Sequence, residues 1–365
     1  MRLVYIVPTT NDAGGVARVL AIKSNYFIRQ FGHQIHFITQ NQSCSESFFD
    51  FNSNCVFHDI KRRGNRFLNY FFYFKNLKKI LSEIEPDCIL VCDFGYKGFL
   101  VPFFIKTKMP IVFEAHGSIY NESRLLPNNI VIKLGQKLKY FFRKKCAQNF
   151  DAFVALSQES LGEWNIQNGF VIPNPNWIKA DNISIFDSKI VVAIARHSHE
   201  KGLDRLLKIW KKIVQTNPGW KLEIYGEKLP EGGIIQVAND LRLQKSVMFF
   251  DPVQDIAAIY QNASIVAMTS RSEGFPMVLV EAMASGVPVI AYDCPIGPRV
   301  LIQNEVNGFL IENDNEDEFV SKLGLLMNDK SLRTHFGQNA KISVQKYDIE
   351  KVMTQWQKFI LDLTV

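Results

Sequence analysis

Short apolar runs alternate with helical patterns along nearly the whole chain. In the first half, the runs that predict strands cover residues 3–7, 34–39, 56–60, 88–92, 111–115 and 152–156. Apolar positions at helical spacing fill most of the intervals, as at 17–30 and 68–84. Buried parallel strands are continuously apolar, and helices cover both faces of a parallel sheet. The alternation therefore predicts an α/β domain with a doubly wound parallel sheet.

The pattern breaks at residues 172–188 and then begins again. This polar stretch has two prolines near its start and predicts an inter-domain linker. Beyond it, strands are predicted at 190–195, 222–225, 247–250, 265–268, 287–291 and 308–311, with a helix at 203–214. We expect two Rossmann-like domains, over residues 1–180 and 181–345. The remaining segment, 346–365, contains an amphipathic helix at about 349–363 that is expected to pack back toward the first domain.

Composition agrees with two buried cores. Hydrophobic residues make up 47% of the 365 residues and charged residues 21%, which excludes a disordered chain, a coiled coil and a collagen-like repeat. No run reaches about 18 uncharged apolar residues, and the N-terminus has the pattern of a buried strand rather than of a signal peptide. The six cysteines form no CxxC pair. We therefore expect reduced thiols and a cytoplasmic protein.

Charge is divided unequally along the chain. Residues 1–150 hold 21 basic and 10 acidic residues, a net charge of +11, and the remainder holds 21 and 26, a net charge of −5. Basic residues beside aromatic ones suit an anionic membrane surface, and we expect the first domain to contact one. Nucleic acid is not expected, since no nucleic-acid-binding motif accompanies the charge. The residues concerned are Lys61, Arg62, Arg63 and Arg66 before the aromatic run 67–74, Lys75, Lys78 and Lys79 after it, and Lys133, Lys137, Lys139, Arg143, Lys144 and Lys145 interleaved with Val131, Leu134, Leu138 and Phe141.

Two loops of the first domain carry candidate residues at the carboxyl ends of strands, where open parallel sheets bind ligands. Gly14 and Gly15 follow the first strand and precede a helix, so they permit close backbone approach to an anion. The GxGxxG fingerprint is absent here, which argues against an NAD enzyme. His116 directly follows the strand at 111–115 and is placed to hydrogen-bond a substrate hydroxyl. A plain tight turn and a structural histidine are the alternatives.

The loop after the predicted strand at 190–195 brings Arg196 and Lys201 to the start of a helix. Cations are poorly placed beside a helix N-terminus unless an anion lies between them. This arrangement favours a phosphate or diphosphate site over a solvated charged loop. The same loop contains two histidines, but no third ligand lies nearby in the sequence, so we expect no metal.

The most specific motif is a pair of glutamates eight positions apart. Glu273 lies in the loop after 265–268, and Glu281 lies about one turn inside an apolar helix at 277–284. A carboxylate in such a helix costs free energy unless it is paired, and vicinal sugar hydroxyls are suitable partners. The start of this helix can hold an anion such as a diphosphate. The segment concerned is Gly274, Phe275, Pro276, Met277 and Val278.

Together these motifs resemble glycosyltransferase family 4, whose members have the GT-B fold of two Rossmann-like domains facing a central cleft. The resemblance rests on the segments 196–202, 273–282 and 285–289, and the segments 14–16 and 307–310 agree with it. It covers nearly the whole chain, and the motifs occur in the family's order. It implies a retaining, metal-independent transferase that uses a nucleotide-diphospho-sugar as donor substrate and needs no cofactor.

The resemblance also implies roles for individual residues. His116 and Glu273 are the implied catalytic positions, His116 near the reacting sugar and Glu273 facing its hydroxyls. Positive charge beside the leaving diphosphate stabilises the departing oxygens, and no protein nucleophile is implied. Arg196 and Lys201 are implied to hold the diphosphate, and Glu281 the ribose hydroxyls. The full set implied to bind the donor is Gly14, Gly15, Arg196, Lys201, Gly226, Gly274, Phe275, Pro276, Met277, Val278 and Glu281.

One further segment narrows the range of expected donors and acceptors. Residues 292–299 resemble the CP-x-GP-R/K variant of bacterial polysaccharide and glycan-assembly members, many of which use UDP-hexoses or UDP-N-acetylhexosamines, although Val300 replaces a glutamate common in relatives. We therefore expect transfer of such a sugar from a UDP-sugar to a glycan or lipid-linked acceptor of a cell-surface polysaccharide, such as lipopolysaccharide or capsule. The expected location is the cytoplasm, peripherally on the inner face of the cytoplasmic membrane. A sugar-nucleotide epimerase of the same fold and a catalytically silent binding subunit are the alternatives.

Overall fold

The computed structural model describes residues 1–40, 42, 47–120, 130–178, 187–229 and 233–364, except the side chains of residues 66, 67, 130 and 131. Within these ranges the chain forms two compact units. The first comprises residues 1–120, 130–175 and 349–364, and the second comprises the described part of 176–348. The chain enters the second unit between Pro175 and Asn176, ahead of the expected boundary at 180, and leaves it after Asp348.

The described part of the first unit contains a seven-stranded sheet in the order β3-β2-β1-β4-β5-β6-β7, with every pair parallel. Its strands are β1 (Arg2–Ile6), β2 (Gln34–Gln40), β3 (Val56–Ile60), β4 (Cys88–Val91), β5 (Ile111–Ala115), β6 (Ala152–Ala155) and β7 (Gly169–Val171). The strand order reverses between β1 and β4, so the loops that follow these strands border a switch point where ligands bind in such sheets.

Helices cover both faces of the first sheet. One face packs against α2 (Arg66–Ile84), α3 (Tyr96–Phe104), α4 (Ile130–Ala147) and α5 (Gln158–Trp164). The other face packs against α1 (Gly15–Phe31) and the last helix, α13 (Ile349–Thr364). The buried side of α13, which includes Val352, Trp356 and Ile360, lies in one cluster with Leu3 and Tyr5 of β1. The end of the chain is therefore part of the first unit's core.

The described part of the second unit contains a six-stranded parallel sheet in the order β10-β9-β8-β11-β12-β13. Its strands are β8 (Ile190–Ile194), β9 (Lys221–Tyr225), β10 (Val247–Phe250), β11 (Ile265–Met268), β12 (Val289–Asp293) and β13 (Gly308–Glu312). Its helices are α6 (Leu203–Ile213), α7 (Ile234–Asp240), α8 (Ile256–Asn262), α9 (Met277–Ala284), α10 (Pro298–Leu301), α11 (Glu316–Asn328) and α12 (Lys330–Val344). The strand order reverses between β8 and β11. The predicted α/β class, with two doubly wound parallel sheets, is confirmed.

Local differences from the sequence-based expectation have local causes. The strand predicted at 287–291 begins two residues later, at Val289, because Gly286 has φ 73° and the amide of Val287 donates to Ala282 O at 2.9 Å as the chain leaves α9. The edge strand β7 was not predicted, because three residues are too short for a periodic signal. The helix α3 was not predicted either, and it contains Pro102, a residue that normally ends helices.

Two expectations concern residues that are described only in part. Five cysteines lie in the described ranges and all are buried thiols, whereas Cys44 lies outside the described residues. The predicted linker 172–188 includes residues 179–186, which also lie outside them. None of the helices in the described ranges is long and apolar enough to cross a membrane.

Candidate active-site residues

In the second unit, the loops after β8 and β11 meet at the switch point of the sheet. The hydroxyl of Thr269 donates to Gly202 O at 2.8 Å and ties one loop to the other. Gly202 has φ 62°, and a Cβ there would lie 2.1 Å from Thr269 O. Only glycine accepts both this backbone conformation and this contact. The start of α6 is therefore held tightly against the loop that carries Glu273.

The structure brings Lys201 and Glu273 together as an ion pair. The ammonium Nζ lies 2.8 Å from Glu273 Oε1 and 3.0 Å from Oε2, and the hydroxyl of Ser270 donates to Oε1 at 2.6 Å. The Glu273 side chain is 9% exposed, and that of Lys201 is 23% exposed. An ammonium has three N–H donors, so Lys201 retains the capacity to bind a further anionic oxygen.

Arg196 stands apart from this pair. Its guanidinium donates to Glu200 Oε1 at 2.8 Å, four residues along the chain, and about half of its side chain is exposed. The sequence treats Arg196 and Lys201 as two equivalent cations, but the structure distinguishes them. Lys201 is fixed beside Glu273, whereas the side chain of Arg196 is half exposed and pairs only with its neighbour in the same loop, Glu200, among the contacts described.

Glu281 is buried in the second turn of α9, with 1% exposure. The hydroxyl of Tyr260, on α8, donates to Glu281 Oε2 at 2.9 Å. A hydrogen bond to a charged group stabilises by about 1.5–3 kcal/mol, so the protein itself offsets part of the cost of burying this carboxylate. The sequence argument looked for that partner in a ligand and missed Tyr260, which lies 21 positions earlier in the chain.

The segment before α9 alternates between buried and accessible positions. Gly274 and Val278 are partly exposed, whereas Phe275, Pro276 and Met277 are buried. The ring of Phe275 packs edge-on against Tyr347, with ring centroids 5.3 Å apart. The side chain of Phe275 therefore packs in the interior, and Gly274 and Val278 are the partly exposed residues of this segment.

The segment 294–299 packs against the loop that carries Glu273, a contact that the sequence motif did not reveal. Gly297 has φ 109°, and a Cβ there would lie 2.7 Å from Pro276 Cδ and 3.2 Å from Glu273 Cβ. Arg299 donates from Nε and a terminal nitrogen to the two carboxylate oxygens of Asp293, at 2.8 and 2.9 Å. The close approach of Gly297 sets the position of the loop that presents Glu273.

Gly226 follows β9 and touches the neighbouring loop. It has φ 154°, and a Cβ there would lie 2.0 Å from Ala195 O, at the end of β8. Its amide donates to Phe250 O at 3.1 Å. The loop after β9 is thereby held against the loop that carries Arg196, and the candidate donor-binding residues of this unit lie on three adjacent loops and on α9.

In the first unit, Gly14 and Gly15 begin α1 at the end of β1. The amide of Gly14 donates to Asp12 Oδ1 at 2.8 Å. A Cβ on Gly14 would lie 2.6 Å from that oxygen, whereas a Cβ on Gly15 would meet nothing within 4 Å. Space is therefore open beside Gly15 at the start of α1, as a site for close ligand approach requires.

His116 follows β5 and is almost fully buried, with a side chain 6% exposed. Its Nε2 lies 3.3 Å from Glu114 Oε1 but makes no hydrogen bond with any described residue. Burial lowers the pKa of His116, Lys23 lowers it further, and Glu114 opposes them, so the net direction is below the usual histidine value. At neutral pH His116 is therefore a neutral imidazole.

A buried ion pair next to His116 escaped the sequence analysis. Lys23 and Glu114 are both fully buried, with Nζ 2.5 Å from Glu114 Oε1. The Lys23 ammonium also lies 3.6 Å from the ring centroid of Trp356, on α13. A charged residue within the apolar strand β5, and another on the apolar face of α1, were available signals. Their pairing was not, because 91 positions separate them.

The carboxyl group of Glu114 is the centre of this cluster. Burial raises its pKa, but Lys23 and His116 lower it by more, so the pKa lies below the usual glutamate value. The thiol of Cys92 donates to Glu114 Oε2 at 3.5 Å. Ligand atoms of Cys92, Glu114 and His116 lie within 4.8 Å of one another, as metal ligands do. The Lys23 ammonium already supplies the compensating charge at Glu114, so we assign no metal there.

Two family models match consecutive parts of the chain. "Glycosyltransferase Family 4" matches residues 13–175, and "Glycosyl transferases group 1" matches residues 176–343. The chain belongs to glycosyltransferase family 4. It is therefore an enzyme, as the motifs predicted, and the matched segments contain every residue that was singled out as a candidate for catalysis or donor binding.

Three relatives that match along the full length of this glycosyltransferase are bacterial. It is 27% identical over 355 residues to an uncharacterized glycosyltransferase of Haemophilus influenzae, covering 97% of this chain and 98% of the relative. It is 24% identical to the amylovoran biosynthesis glycosyltransferase AmsD of Erwinia amylovora, covering 98% and 99%. It is 25% identical to an α-1,4-N-acetyl-D-galactosaminyltransferase of Campylobacter jejuni, named for an undecaprenol-linked acceptor, covering 100% and 99%.

Solved structures with the same fold confirm the GT-B expectation. The sucrose-phosphate synthase of Thermosynechococcus elongatus aligns with a TM-score of 0.81 at 16% identity, covering 100% of this glycosyltransferase and 99% of that chain. The Anabaena protein HepE, in complex with UDP-glucose, aligns with a TM-score of 0.79 at 19% identity, covering 99% and 100%. At these identities the likeness establishes the fold alone.

Proposed function

We propose that the protein is a retaining glycosyltransferase that moves a hexose or N-acetylhexosamine from a UDP-sugar to a glycan or lipid-linked acceptor in bacterial cell-surface polysaccharide assembly. The observation that carries the proposal is the arrangement on the loops after β8 and β11 and on α9. There Lys201 is fixed on Glu273, Glu281 is buried on α9, and the partly exposed residues Gly274 and Val278 lie just before and within the first turn of α9. Cation, carboxylates and helix N-terminus are what a nucleotide-diphospho-sugar requires.

In this proposal the positive charge that the leaving diphosphate needs comes from the protein, without a metal or a cofactor. Lys201 is held by Glu273 and presents its remaining N–H to a phosphate oxygen, and Arg196 can turn from Glu200 to another. A prearranged cation stabilises the oxygens that gain charge as the glycosidic bond to phosphate breaks. Glu273 accepts hydrogen bonds from hydroxyls of the transferred sugar, and Glu281 accepts them from the ribose.

The proposed part of His116 is to hydrogen-bond a hydroxyl of the reacting sugar. Because burial lowers its pKa, the ring is uncharged at neutral pH and adds no charge beside a polar substrate. Its Nε2 has no hydrogen-bond partner among the described residues, so a substrate hydroxyl would satisfy a buried polar atom.

We name no protein nucleophile. Retention is tested by the anomeric configuration of the product in an NMR-monitored reaction.

The names of two relatives support the proposed acceptor, and the buried thiols support the proposed location. The Erwinia and Campylobacter relatives are named for a surface polysaccharide and for an undecaprenol-linked glycan, which supports a lipid-linked or polymeric glycan acceptor here. The five described cysteines are buried thiols, which supports a reducing compartment. We therefore place the reaction in the cytoplasm.

Calorimetric titration with UDP, GDP and ADP tests the donor. We expect UDP to bind best and Glu281→Ala to weaken UDP binding by about 10- to 100-fold, because a charge-assisted hydrogen bond of about 1.5–3 kcal/mol is lost. Tyr260→Phe is the control, since it removes one hydrogen-bond donor to Glu281 and leaves the carboxylate for the ribose. Tighter binding of GDP or ADP would overturn the UDP proposal. If the folded protein bound no nucleotide, a catalytically silent subunit would be favoured. If it converted the sugar of the donor without an acceptor, an epimerase would be favoured.

Replacing Gly297 by alanine tests whether the segment behind Glu273 positions the donor loop. The strained φ costs about 1–3 kcal/mol, and the new Cβ must push Pro276 and Glu273 aside. We expect UDP affinity to fall by on the order of 10-fold. Gly219→Ala is the matched control, because Gly219 has φ 89° but nothing within 4 Å of its Cβ. It should lower the unfolding midpoint without changing UDP affinity, and an equal loss of affinity in both variants would contradict the positioning role.

A further inference from the structure

The helix α4 of the first unit carries large apolar side chains on its outer side. Leu134, Leu138 and Phe141 are 62%, 64% and 63% exposed. Their spacing of four and then three positions places them on one stripe of the helix. The opposite side of α4, with Tyr140 and Cys146, packs in the core. A continuous apolar stripe that is open to water is typical of a surface that binds something.

The stripe is bordered by positive charge. Lys133, Lys137 and Lys145 are exposed on the same helix, and Lys145 Nζ lies 6.0 Å from the ring centroid of Phe141. The sequence of α4 contains no acidic residue. Long basic side chains beside exposed leucine and phenylalanine are the composition of helices that lie in a membrane interface.

Two further helices of the same layer, α3 next to α4 and α2 next to α3, also carry exposed apolar side chains. Phe71 of α2 is 64% exposed, and Phe104 of α3 is 53% exposed. The ring of Phe104 stacks on Phe74 of α2 with centroids 4.2 Å apart, which joins α2 to α3. All three helices cover the same face of the first sheet. Lys75, Lys78 and Lys79 of α2 are exposed as well. The layer α2–α3–α4 therefore combines apolar and basic side chains over several helices.

We propose that the outer surface of this layer, centred on the α4 stripe, docks on an anionic lipid bilayer. The apolar side chains would enter the boundary between headgroups and acyl chains, and the lysines would remain among the anionic headgroups. A second copy of the chain fits poorly, because it would bring two basic surfaces together. The inference rests on exposed side chains and charge in the first unit, and it goes beyond sugar transfer by the loops described above.

Co-sedimentation with lipid vesicles tests the proposal. We expect the protein to bind vesicles of phosphatidylcholine with phosphatidylglycerol, to bind pure phosphatidylcholine weakly, and to release as salt is raised. The variant Leu134→Ser/Leu138→Ser/Phe141→Ser should bind on the order of 100-fold less. The variant Lys133→Gln/Lys137→Gln/Lys145→Gln should lose vesicle affinity by a similar factor, since each lysine contributes about 1 kcal/mol, or about fivefold in affinity.

The matched control is Ile342→Ser, which removes an apolar side chain 65% exposed on the second unit and should bind vesicles as the unchanged protein does. UDP affinity should be the same in all these variants, so that failure of docking is distinguished from failure of the donor site. The proposal is overturned if the protein ignores anionic vesicles at low salt. It is equally overturned if the serine variant binds as tightly as the control, because adsorption would then depend on charge alone.

Discussion

Replacing Lys23 by methionine is expected to lower the free energy of unfolding by about 3–5 kcal/mol, the cost of removing one partner from a buried ion pair. Methionine preserves most of the length of the side chain, so the main change is the loss of the ammonium beside Glu114. The carboxylate would then be buried with its charge uncompensated. Urea denaturation at neutral pH measures the loss, and Lys208→Met, an exposed lysine on α6, should change stability by less than about 0.5 kcal/mol.

The same pair has a defined pH dependence. In the native protein the pKa of Glu114 lies below its usual value, so its contribution is present above the unfolded pKa and is lost as pH falls through the folded pKa. Without Lys23, burial should raise the pKa of Glu114. The loss of unfolding free energy in Lys23→Met should therefore become smaller as pH falls through that raised pKa. The reason is that Glu114 is protonated at a higher pH in the folded variant than in the unfolded one.

A double substitution separates charge from packing. Lys23→Met/Glu114→Gln removes both charges, and it should be more stable than Lys23→Met alone, because no buried charge remains unpaired. The contact between the ammonium and Trp356 is lost in both variants, so it does not affect the comparison. An unchanged denaturation midpoint in Lys23→Met, or a double variant as unstable as the single one, would refute the interpretation of the pair as a stabilising element of the core.

Replacing Lys201 by methionine is expected to lower kcat by about 100- to 1,000-fold, the loss measured when one prearranged donor to a developing charge is removed. The expectation rests on the proposed function, in which the Lys201 ammonium faces the leaving diphosphate. Initial rates with a UDP-sugar and acceptor measure it. Lys212→Met is the control, because Lys212 is a half-exposed lysine of the same unit that pairs with Glu316 and Asp317, and it should leave kcat unchanged.

The ion pair with Glu273 offers a rival explanation for such a loss. If Lys201 only holds Glu273 in place, then Glu273→Gln, Lys201→Met and the double variant should all lose the same factor in kcat. If Lys201 acts on the diphosphate, the double variant should lose more than either single one, and UDP affinity should fall in Lys201→Met but little in Glu273→Gln. A kcat within about threefold of the unchanged protein in Lys201→Met would exclude its role in leaving-group stabilisation.

The roles of the candidate residues could be predicted in unequal measure. Glu273 and Glu281 were recognisable because a carboxylate in an apolar helix and its neighbour eight positions earlier form a local pattern. Gly297 was visible only as part of a motif. The reason for its presence, a positive φ and the close approach of the Pro276 ring, depends on how β12 and its loop lie beside α9. Phe275 belongs to the same motif, yet the structure shows its side chain packed on Tyr347.

The sequence by itself determined the two doubly wound parallel sheets and the loops that carry the candidate chemistry. Both depend on short-range periodicity, because buried strands and amphipathic helices are written in neighbouring residues. Only the tertiary structure decided which charges meet. Lys23 and Glu114 are 91 positions apart and Lys201 and Glu273 are 72. The order of strands in each sheet determines which of these residues lie close together. A charged residue in an apolar segment of the sequence indicates that a partner exists but does not identify it.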